Sequence, residues 1–270
     1  MRHHSILRKA FVALAVSGAL SAGIVTAGNL LQLHNMPPTL PPPEYGNTVL
    51  NRIAEKNNQK AVVFPHWSHR AKYTCRVCHL ELEFSMKAGE TEITEKGIRA
   101  GRFCGNCHNG KTAFAPKGPK GKNCARCHRG KKKSGTQKFK AFARKLPHTR
   151  YGNRINWVKA LRTGRIKPKN SLTASNPLID ERLIMKLDRT LELRAEMALI
   201  SPAIFPHKAH TEWLECSQCH PDIFNIKKKT TERFSMDKNL DGQFCGVCHL
   251  TIAFPMNDCK RCHPRMREIR

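Results

Sequence analysis

The sequence contains Cys75-Arg-Val-Cys-His79, the first of six pentads with the pattern Cys-x-x-Cys-His in 270 residues. In this pattern the two thiols form thioether bonds to a haem, and the adjacent histidine binds its iron. The pentads use all twelve cysteines, which are Cys75, Cys78, Cys104, Cys107, Cys124, Cys127, Cys216, Cys219, Cys245, Cys248, Cys259 and Cys262. The predicted proximal iron ligands are His79, His108, His128, His220, His249 and His263. The sequence therefore predicts six covalently bound c-type haems (iron).

Other uses of paired cysteines explain the pattern less well. Half of a zinc site and a redox-active dithiol also have the spacing Cys-x-x-Cys, and disulfides fit an exported protein. None of these requires a histidine directly after the second cysteine, yet that histidine is present in all six pentads. A haem stain of the denatured chain separates the alternatives, because thioether-bound haem stays on the polypeptide.

The chain is strongly basic, with a formal net charge of +28 at pH 7. Each ferric haem with two propionates adds about −1, so the loaded protein keeps a charge of roughly +22. Between Arg129 and Lys169 there are fifteen lysines and arginines and no acidic residue. We therefore expect acidic redox proteins as partners, together with an anionic membrane surface. Nucleic acid fits the charge but conflicts with export and haem loading.

The N-terminus has the pattern of an export signal. Arg8 and Lys9 precede an apolar run from Ala10 to Leu33, with small residues near Val25-Thr-Ala27 that suit a cleavage site. The run is also long enough to span a bilayer if it stays uncut. Residues 1–33 are therefore predicted to be a signal peptide or an N-terminal membrane anchor. We expect a periplasmic protein, or one anchored to the outer face of the cytoplasmic membrane, because bacteria attach c-type haem outside that membrane.

An internal repeat divides the pentads into two sets of three. Phe64-Pro-His66 and Phe205-Pro-His207 lie 141 residues apart, as do the first and the second pentads of the two sets. The third pentads are offset by 135 residues. The predicted divisions are a Pro-rich spacer at 34–61, triheme domain 1 at 62–130, a basic connector at 131–202 and triheme domain 2 at 203–270.

The predicted fold is mostly irregular, with short α-helices, minimal β-structure and cores packed around haem. Aromatic residues make up only 7% of the chain, so the macrocycles must supply much of the apolar volume. Short strands are expected around Ala61–Phe64 and Ala203–Phe205, and a short helix within Asn47–Lys60. The connector is expected to end in an amphipathic helix over Leu178–Ile200, because leucines recur there at helical spacing.

Low-spin irons need a second axial ligand, and the histidines outside the pentads supply some of these. The predicted distal ligands recur at one offset in both domains and are His66, His69, His207 and His210. One haem per domain is left without a repeated histidine, and methionine is the usual substitute. Met86 and Met236 each end a Phe-Ser-Met sequence, but alignment on the pentads places Glu95 opposite Met236. Core packing is the alternative role for both methionines, and His148 is a rival ligand for the third haem of domain 1.

Each repeat resembles the triheme cytochrome c7 family, which is related to cytochrome c3. The resemblance rests on Phe-Pro-His-x-x-His, on three pentads and on the run Cys104-Gly-Asn-Cys-His-Asn-Gly-Lys-Thr-Ala-Phe114. It implies that the first histidine of each pair, His66 or His207, ligates the haem of the first pentad. It implies that the second, His69 or His210, ligates the haem of the second pentad.

The resemblance also implies where the third haem of each domain finds its distal ligand. That residue lies between the first two pentads and serves the iron held by His128 or His263. It is histidine in single-domain members of the family and methionine in some tandem members. No histidine occurs in this interval here, which points to methionine.

These features predict a hexahaem c-type cytochrome that relays single electrons in extracytoplasmic respiratory electron transport. The chain is not expected to be an enzyme. The alternative is a haem-based reductase that binds substrate at an open distal position on the third haem of a domain. A high-spin ferric signal together with a ligand-induced spectral change would favour that alternative.

Overall fold

A computed structural model describes residues 36, 39–130, 136–173, 187–195, 200–225 and 235–266. By its internal contacts the chain divides into Met1–Pro38 and Thr39–Arg270, and both predicted triheme domains belong to the second unit. The predicted signal peptide or anchor lies outside the described residues. Within the described ranges, no helix is long and apolar enough to cross a membrane.

Each domain begins with a two-stranded antiparallel sheet. Strand β1 (Asn47–Leu50) pairs with β2 (Val62–Pro65), and β3 (Thr190–Leu193) pairs with β4 (Ala203–Pro206). In both sheets the first residue of the earlier strand faces the last residue of the later one. The strands predicted beside the Phe-Pro-His sequences are confirmed as β2 and β4. Their partners β1 and β3 lie in segments that the sequence assigned to the spacer and the connector.

The helix predicted over Leu178–Ile200 is wrong where the structure describes it, because Thr190–Leu193 forms β3. The remainder of that prediction falls largely outside the described residues. Exposure alternates along β3, with Leu191 and Leu193 on the less exposed face, as the period of two in a strand requires. Pairing with β4 satisfies the backbone of this segment, so a tertiary partner overrides its local helical spacing.

The helices are short, and several of them contain the pentads. The α-helices are α1 (Arg52–Lys56), α2 (His66–Arg70), α3 (Glu95–Arg99), α4 (Cys104–Cys107), α5 (Cys124–Cys127), α6 (Thr136–Ala143), α7 (Trp157–Arg162), α8 (His207–Thr211), α9 (Met236–Leu240), α10 (Gly246–His249) and α11 (Cys259–Cys262). A π-helical turn covers Val77–Glu81, and 3-10 turns cover Pro119–Gly121 and Cys216–Gln218. Short helices, irregular segments and two small sheets confirm the predicted fold class.

The pentads themselves fold into single helical turns. In five of them the backbone N–H of the histidine donates to the carbonyl oxygen of the first cysteine, at 2.8 to 2.9 Å. One turn of helix therefore carries both cysteines and the histidine. The turn thus presents two thiols and one imidazole to the same bound group.

The connector contributes a hydrophobic core rather than only a solvated spacer. Its buried members are Phe139, Ala143, Leu146, Ile155, Trp157, Ala160 and Ile166. Trp213 of domain 2 belongs to the same cluster, and Trp67 of domain 1 packs against it. Every lysine and arginine of 136–173 is exposed. The connector thus places its apolar residues between the two domains and its cations in solvent.

A buried ion pair also joins the domains. Arg76 lies inside the first pentad of domain 1, and Glu215 directly precedes the first pentad of domain 2. Their Nε and Oε2 atoms are 3.0 Å apart, and the side chains are only 1% and 10% exposed. The Arg76 guanidinium also donates to the carbonyl oxygens of Thr211 and, at 2.7 Å, of Leu214. These bonds hold the two first pentads close together.

Candidate haem sites

The cysteines of each pentad lie in pairs that burial affects unequally. All twelve lie within the described residues, and none of them forms a disulfide. Burial raises the pKa to about 12 at Cys78, Cys245 and Cys248. A redox-active dithiol requires a cysteine with a lowered pKa. At Cys75/Cys78 and at Cys245/Cys248 burial raises the pKa of both thiols, so the dithiol alternative does not fit these two sites.

The six pentad histidines are all oriented through the same ring nitrogen. Each Nδ1 lies 2.6 to 3.1 Å from a backbone carbonyl oxygen, to which it can donate a proton. The accepting residues are Phe84 for His79, Phe114 for His108, Lys60 for His128, Phe224 for His220, Phe254 for His249 and Ser201 for His263. A proton on Nδ1 leaves the lone pair on Nε2, which is the atom that then binds a metal.

The four predicted distal histidines have the same arrangement. Their Nδ1 atoms lie 2.9 to 3.1 Å from backbone carbonyl oxygens. The accepting residues are Gly46 for His66, Pro65 for His69, Arg189 for His207 and Pro206 for His210. Ten imidazoles, six proximal and four distal, therefore present Nε2 away from their backbone anchors.

Burial keeps several of these imidazoles neutral, as iron ligation requires. It lowers the pKa of His66 and of His249 to about 4, and the charge of His79 contributes further at His66. Burial also lowers the pKa of His69 and of His210. The pairing of His66 with His79 at the first haem of domain 1 stays a prediction.

The second site of each domain has the spacing of a bis-histidine iron. The ring centroids of His69 and His108 are 6.3 Å apart, and those of His210 and His249 are 6.2 Å apart. A metal held by one nitrogen of each ring, at about 2 Å from both, would fit between imidazoles whose centroids are about 6 Å apart. The protein therefore holds these two pairs at the distance that a single iron requires.

Phenylalanines support the second sites from both sides. Phe64 packs on His69 and Phe205 packs on His210, with ring centroids 4.3 Å apart in each case. Phe114 and Phe254 pack edge-on against the proximal rings at 4.4 and 4.3 Å. These contacts restrict rotation of the imidazoles, which favours a preformed pair of ligands.

The third sites differ between the domains. Helices α3 and α9 occupy equivalent positions, because Thr94 and Ser235 cap them in the same way, accepting from Gly97 and Lys238. Met236 is the first residue of α9, and Glu95 is the first residue of α3. The structure thus confirms that Glu95 stands opposite Met236. The Glu95 carboxylate accepts from Arg99 at 2.8 Å.

The two other candidates for the third iron of domain 1 are placed differently. Met86 is half-buried in an irregular turn two residues after Phe84, whose carbonyl anchors His79. His148 is exposed in the connector, and its neighbour Thr149 accepts from Arg261 of domain 2 at 2.8 Å. This bond joins the residue after His148 to the third pentad of domain 2. The role of His148 as a rival ligand for domain 1 remains a prediction.

Sequence reasoning missed the backbone groups that orient the histidines. Gly46 and Arg189 lie just before β1 and β3, and each carbonyl accepts from both the N–H and the Nδ1 of its histidine. A carbonyl oxygen is present at every residue, so no side-chain pattern reveals which one is used. The repeated Phe-Pro-His sequences were the available signal, since β2 and β4 align these carbonyls with the histidines.

The residues present therefore fit covalently bound haem. The thiols are paired on helical turns, and the imidazoles are oriented and spaced to hold iron. When bound, such a haem supplies an iron that changes between the ferric and ferrous states by one electron. The fold and the sites together define a c-type cytochrome.

The sequence profile of the family described as "Cytochrome c7 and related cytochrome c" matches residues 62–140 and 203–264, which is just over half of the chain. The chain therefore belongs to the cytochrome c7 family, and the resemblance seen in the pentads is confirmed. It is a multihaem, c-type haem-binding protein of electron transport. Membership favours electron transfer over the reductase alternative.

Several solved structures also match the chain. The chain is 24% identical to a structure titled "C-terminal hexaheme fragment of GSU1996", covering 83% of this chain and 99% of that one, with a TM-score of 0.25. It is 23% identical to dodecaheme cytochrome c GSU1996, covering 83% and 76%, with a TM-score of 0.28. A c7-type three-heme cytochrome domain is 32% identical over 35% of this chain and 98% of its own, with a TM-score of 0.25. No protein with a curated description matches the sequence.

Proposed function

We propose that this protein is a hexahaem relay that passes single electrons in respiratory electron transport outside the cytoplasmic membrane. The observation that carries the proposal is the shared orientation of the six pentad histidines, each anchored through Nδ1 with Nε2 left for iron. Every pentad is therefore equipped in the same way, which supports six loaded sites. An extracytoplasmic location follows from where bacteria attach c-type haem.

Contacts between the domains support a relay that runs through both haem sets. Gln218, inside the first pentad of domain 2, donates to the carbonyl oxygen of Cys75 at 3.4 Å. Cys75 also lies close enough to Cys219 and to Cys248 for its charge to raise the pKa of both thiols, after the larger effect of burial. Attachment sites from the two domains thus adjoin at this junction.

The protein's contribution to electron transfer is to position the irons and set their potentials. Four sites combine two histidines, which favours low potentials, while Met236 would give the third haem of domain 2 a higher one. Buried, anchored imidazoles need little rearrangement when an electron arrives. Such rigidity suits a carrier better than a site that must bind and release substrate.

Counting haems tests the proposal directly. The intact mass of the purified holo-protein should exceed that of the mature polypeptide by six haems, and the denatured chain should stain for haem. Replacing Cys104 and Cys107 with alanine should remove one haem, and replacing Cys245 and Cys248 should also remove one. Fewer than six haems in the unaltered protein would contradict the proposed count.

One observation favours the reductase alternative: Glu95 in domain 1 occupies the position that Met236 has in domain 2. A reductase needs an iron whose distal position is open to substrate. Electron paramagnetic resonance of the oxidised protein, with and without added nitrite or azide, decides this point. We expect only low-spin signals that do not change; a high-spin signal abolished by the ligand would support the reductase.

The basic face of the connector supports acidic partners. Its described cations are exposed, and within 136–173 only Arg162 forms an ion pair, with Glu212 at 2.8 Å. We expect association with an acidic redox protein, and with anionic membrane, through this face. Exposed charges attract such partners most strongly at low ionic strength.

Charge-neutralising variants of the connector test this expectation without disturbing its core. Deletion is unsuitable, since Phe139 and Ala143 of α6 are buried. Lys138, Lys140, Arg144 and Lys145 are all exposed and should be changed together to glutamine. The rate at which an acidic one-electron flavoprotein reduces the variant should fall several-fold at low salt and little at high salt. Cosedimentation with vesicles of phosphatidylserine and phosphatidylcholine tests binding to membrane. The matched control replaces the three lysines with arginine, and equal rates in all variants would exclude this face.

A further inference from the structure

Arg70 reaches from domain 1 into the junction between the domains. It is the last residue of α2 and directly follows His69. Its guanidinium carbon lies 4.9 Å from the ring centroid of Trp157 in the connector and 4.4 Å from that of Trp213 in domain 2. Two aromatic faces from different parts of the chain therefore enclose one cation.

The Arg70 guanidinium has no anionic partner in the described part of the chain. Its Nε atom is buried without a hydrogen bond. Arg76, only six residues away, shows the contrast, because its guanidinium is held by Glu215 and by several carbonyls. The Arg70 side chain is partly buried, and removing a cation from water without an anionic partner opposes folding. Contacts with the two tryptophans offset only part of that cost.

Arg70 lies near one haem attachment site in each domain. The guanidinium lies within electrostatic reach of Cys75 and Cys248, each of which would stabilise the cation if ionised. It is also close enough to His249 for its charge to add to the effect of burial on that ring. Alignment on the repeat places Thr211 opposite Arg70, so domain 2 contributes no equivalent charge.

We propose that Arg70 is a fixed positive charge that raises the reduction potentials of the haems attached at Cys75/Cys78 and at Cys245/Cys248. This inference rests on the proposed function, because it requires both sites to be loaded. Reduction adds one electron to a ferric iron and gives a ferrous iron, with no proton required. The site becomes more negative by one charge, and a nearby cation that no acidic residue of the described chain pairs stabilises that product. The junction would then hold an electron more readily than a neutral side chain at this position would allow.

The test compares three variants of the full-length holo-protein by spectroelectrochemical redox titration. Arg70→Gln removes the charge and should shift one or two of the component potentials to lower values. Arg70→Lys keeps the charge and should leave those components much closer to the unaltered protein. Arg52→Gln is the matched control, since it removes an exposed arginine from α1 and should shift nothing appreciably.

Salt dependence adds a second measure of burial. The shift caused by Arg70→Gln should persist at high ionic strength, because mobile ions do not screen a buried charge well. A shift that disappears in salt would mean that the charge acts from the surface, which would overturn the proposal. Unchanged potentials in Arg70→Gln would overturn it as well.

Haem content distinguishes failure of this inference from failure of the proposed function. If the unaltered protein lacks six haems by intact mass, the proposed function fails and not merely the role of Arg70. If Arg70→Gln loses a haem that Arg70→Lys retains, the charge is needed for assembly rather than for potential, and the tuning role is rejected. If Arg70→Lys shifts as far as Arg70→Gln, packing between the tryptophans is responsible, which also rejects it.

Discussion

The two domains share their first and second haem sites and differ at the third. At the second sites the imidazole pairs are 6.3 and 6.2 Å apart, and a phenylalanine packs on each distal ring at 4.3 Å. At the third sites the capped helices α3 and α9 occupy the same position in the repeat. However, α3 begins with Glu95 and α9 begins with Met236. The first and second sites therefore represent what a c7-like domain needs, and the third site is where the two domains differ.

The difference extends one helical turn further. Glu95 forms a charged pair with Arg99, four residues on, at 2.5 Å. The corresponding pair in α9 is Met236 and Leu240, which is apolar. An exposed carboxylate held by an arginine does not replace a thioether as an iron ligand. Domain 1 thus has a surface ion pair on this helix, while domain 2 has a thioether side chain there.

The largest expected effect tests the part that the domains share. His69→Met and His210→Met should each raise the potential of one haem by tenths of a volt, within the range of ~0.8 V that axial ligands span. Methionine favours ferrous iron relative to a second imidazole. Because the two sites have the same geometry, redox titration should show shifts of similar size. Gln137→Met, at an exposed position of α6, should shift nothing. If only one of the two histidine variants shifts a potential, the histidine whose replacement has no effect is not a ligand.

The next prediction concerns the difference at the third sites. Met236→Ala should remove or lower one high-potential component, while Glu95→Met should create such a component in domain 1. The reason is that the two helices place these residues equivalently, so the ligand should transfer with the side chain. Redox titration and the near-infrared methionine–iron charge-transfer band provide the measurements. Met86→Ala is the companion variant: if it, and not Met236→Ala, removes the component, the ligand assignment moves to Met86.

The sequence predicted the parts of these sites that depend on local pattern. The pentads form single turns because their five residues suffice to close one, and His69 and His210 follow Phe-Pro-His within one helix. Partners distant in sequence were not predictable. Gly46 and Arg189 anchor histidines about twenty residues away through carbonyl oxygens, and the incorrect helix at Thr190–Leu193 fails because β4 pairs with it. A single sequence does not show which strand will be adjacent.

The same limit applies to the junction, where the repeat is least symmetric. Ser217 and Thr74 stand opposite Arg76 and Glu215 in the alignment, so the buried pair has no counterpart and no repeat signal. The basic connector was likewise predicted from its charges, which are exposed. Its apolar residues form a core that no periodic pattern in the sequence predicted. Charge patterns indicate surfaces well, but they do not reveal which apolar faces meet.

A third prediction concerns the stability of that junction. Arg76→Met should lower the free energy of unfolding by about 3–5 kcal/mol, because it leaves Glu215 buried without its cation. Urea unfolding of the holo-protein measures this. Arg76→Met combined with Glu215→Leu should recover most of the loss. Arg162→Gln, which removes a more exposed interdomain pair with Glu212, should cost no more than about 1 kcal/mol. Equal losses for the buried and exposed pairs would show that the junction is open to solvent.

The smallest expected effect concerns the ion pair between Glu95 and Arg99 in α3. Hydrogen bonds from Arg99 lower the pKa of the Glu95 carboxyl below its ordinary value. Since the folded-state pKa is depressed, the pair contributes stability above the ordinary pKa and loses it as pH falls through the folded value. The contribution is small because the pair is exposed. In the reduced, diamagnetic protein, carbon NMR should show that Arg99→Gln raises the pKa of Glu95, while Lys87→Gln does not. An unmoved Glu95 pKa would mean that Arg99 does not hold the carboxylate, leaving it available to the third haem of domain 1 and weakening the contrast with Met236.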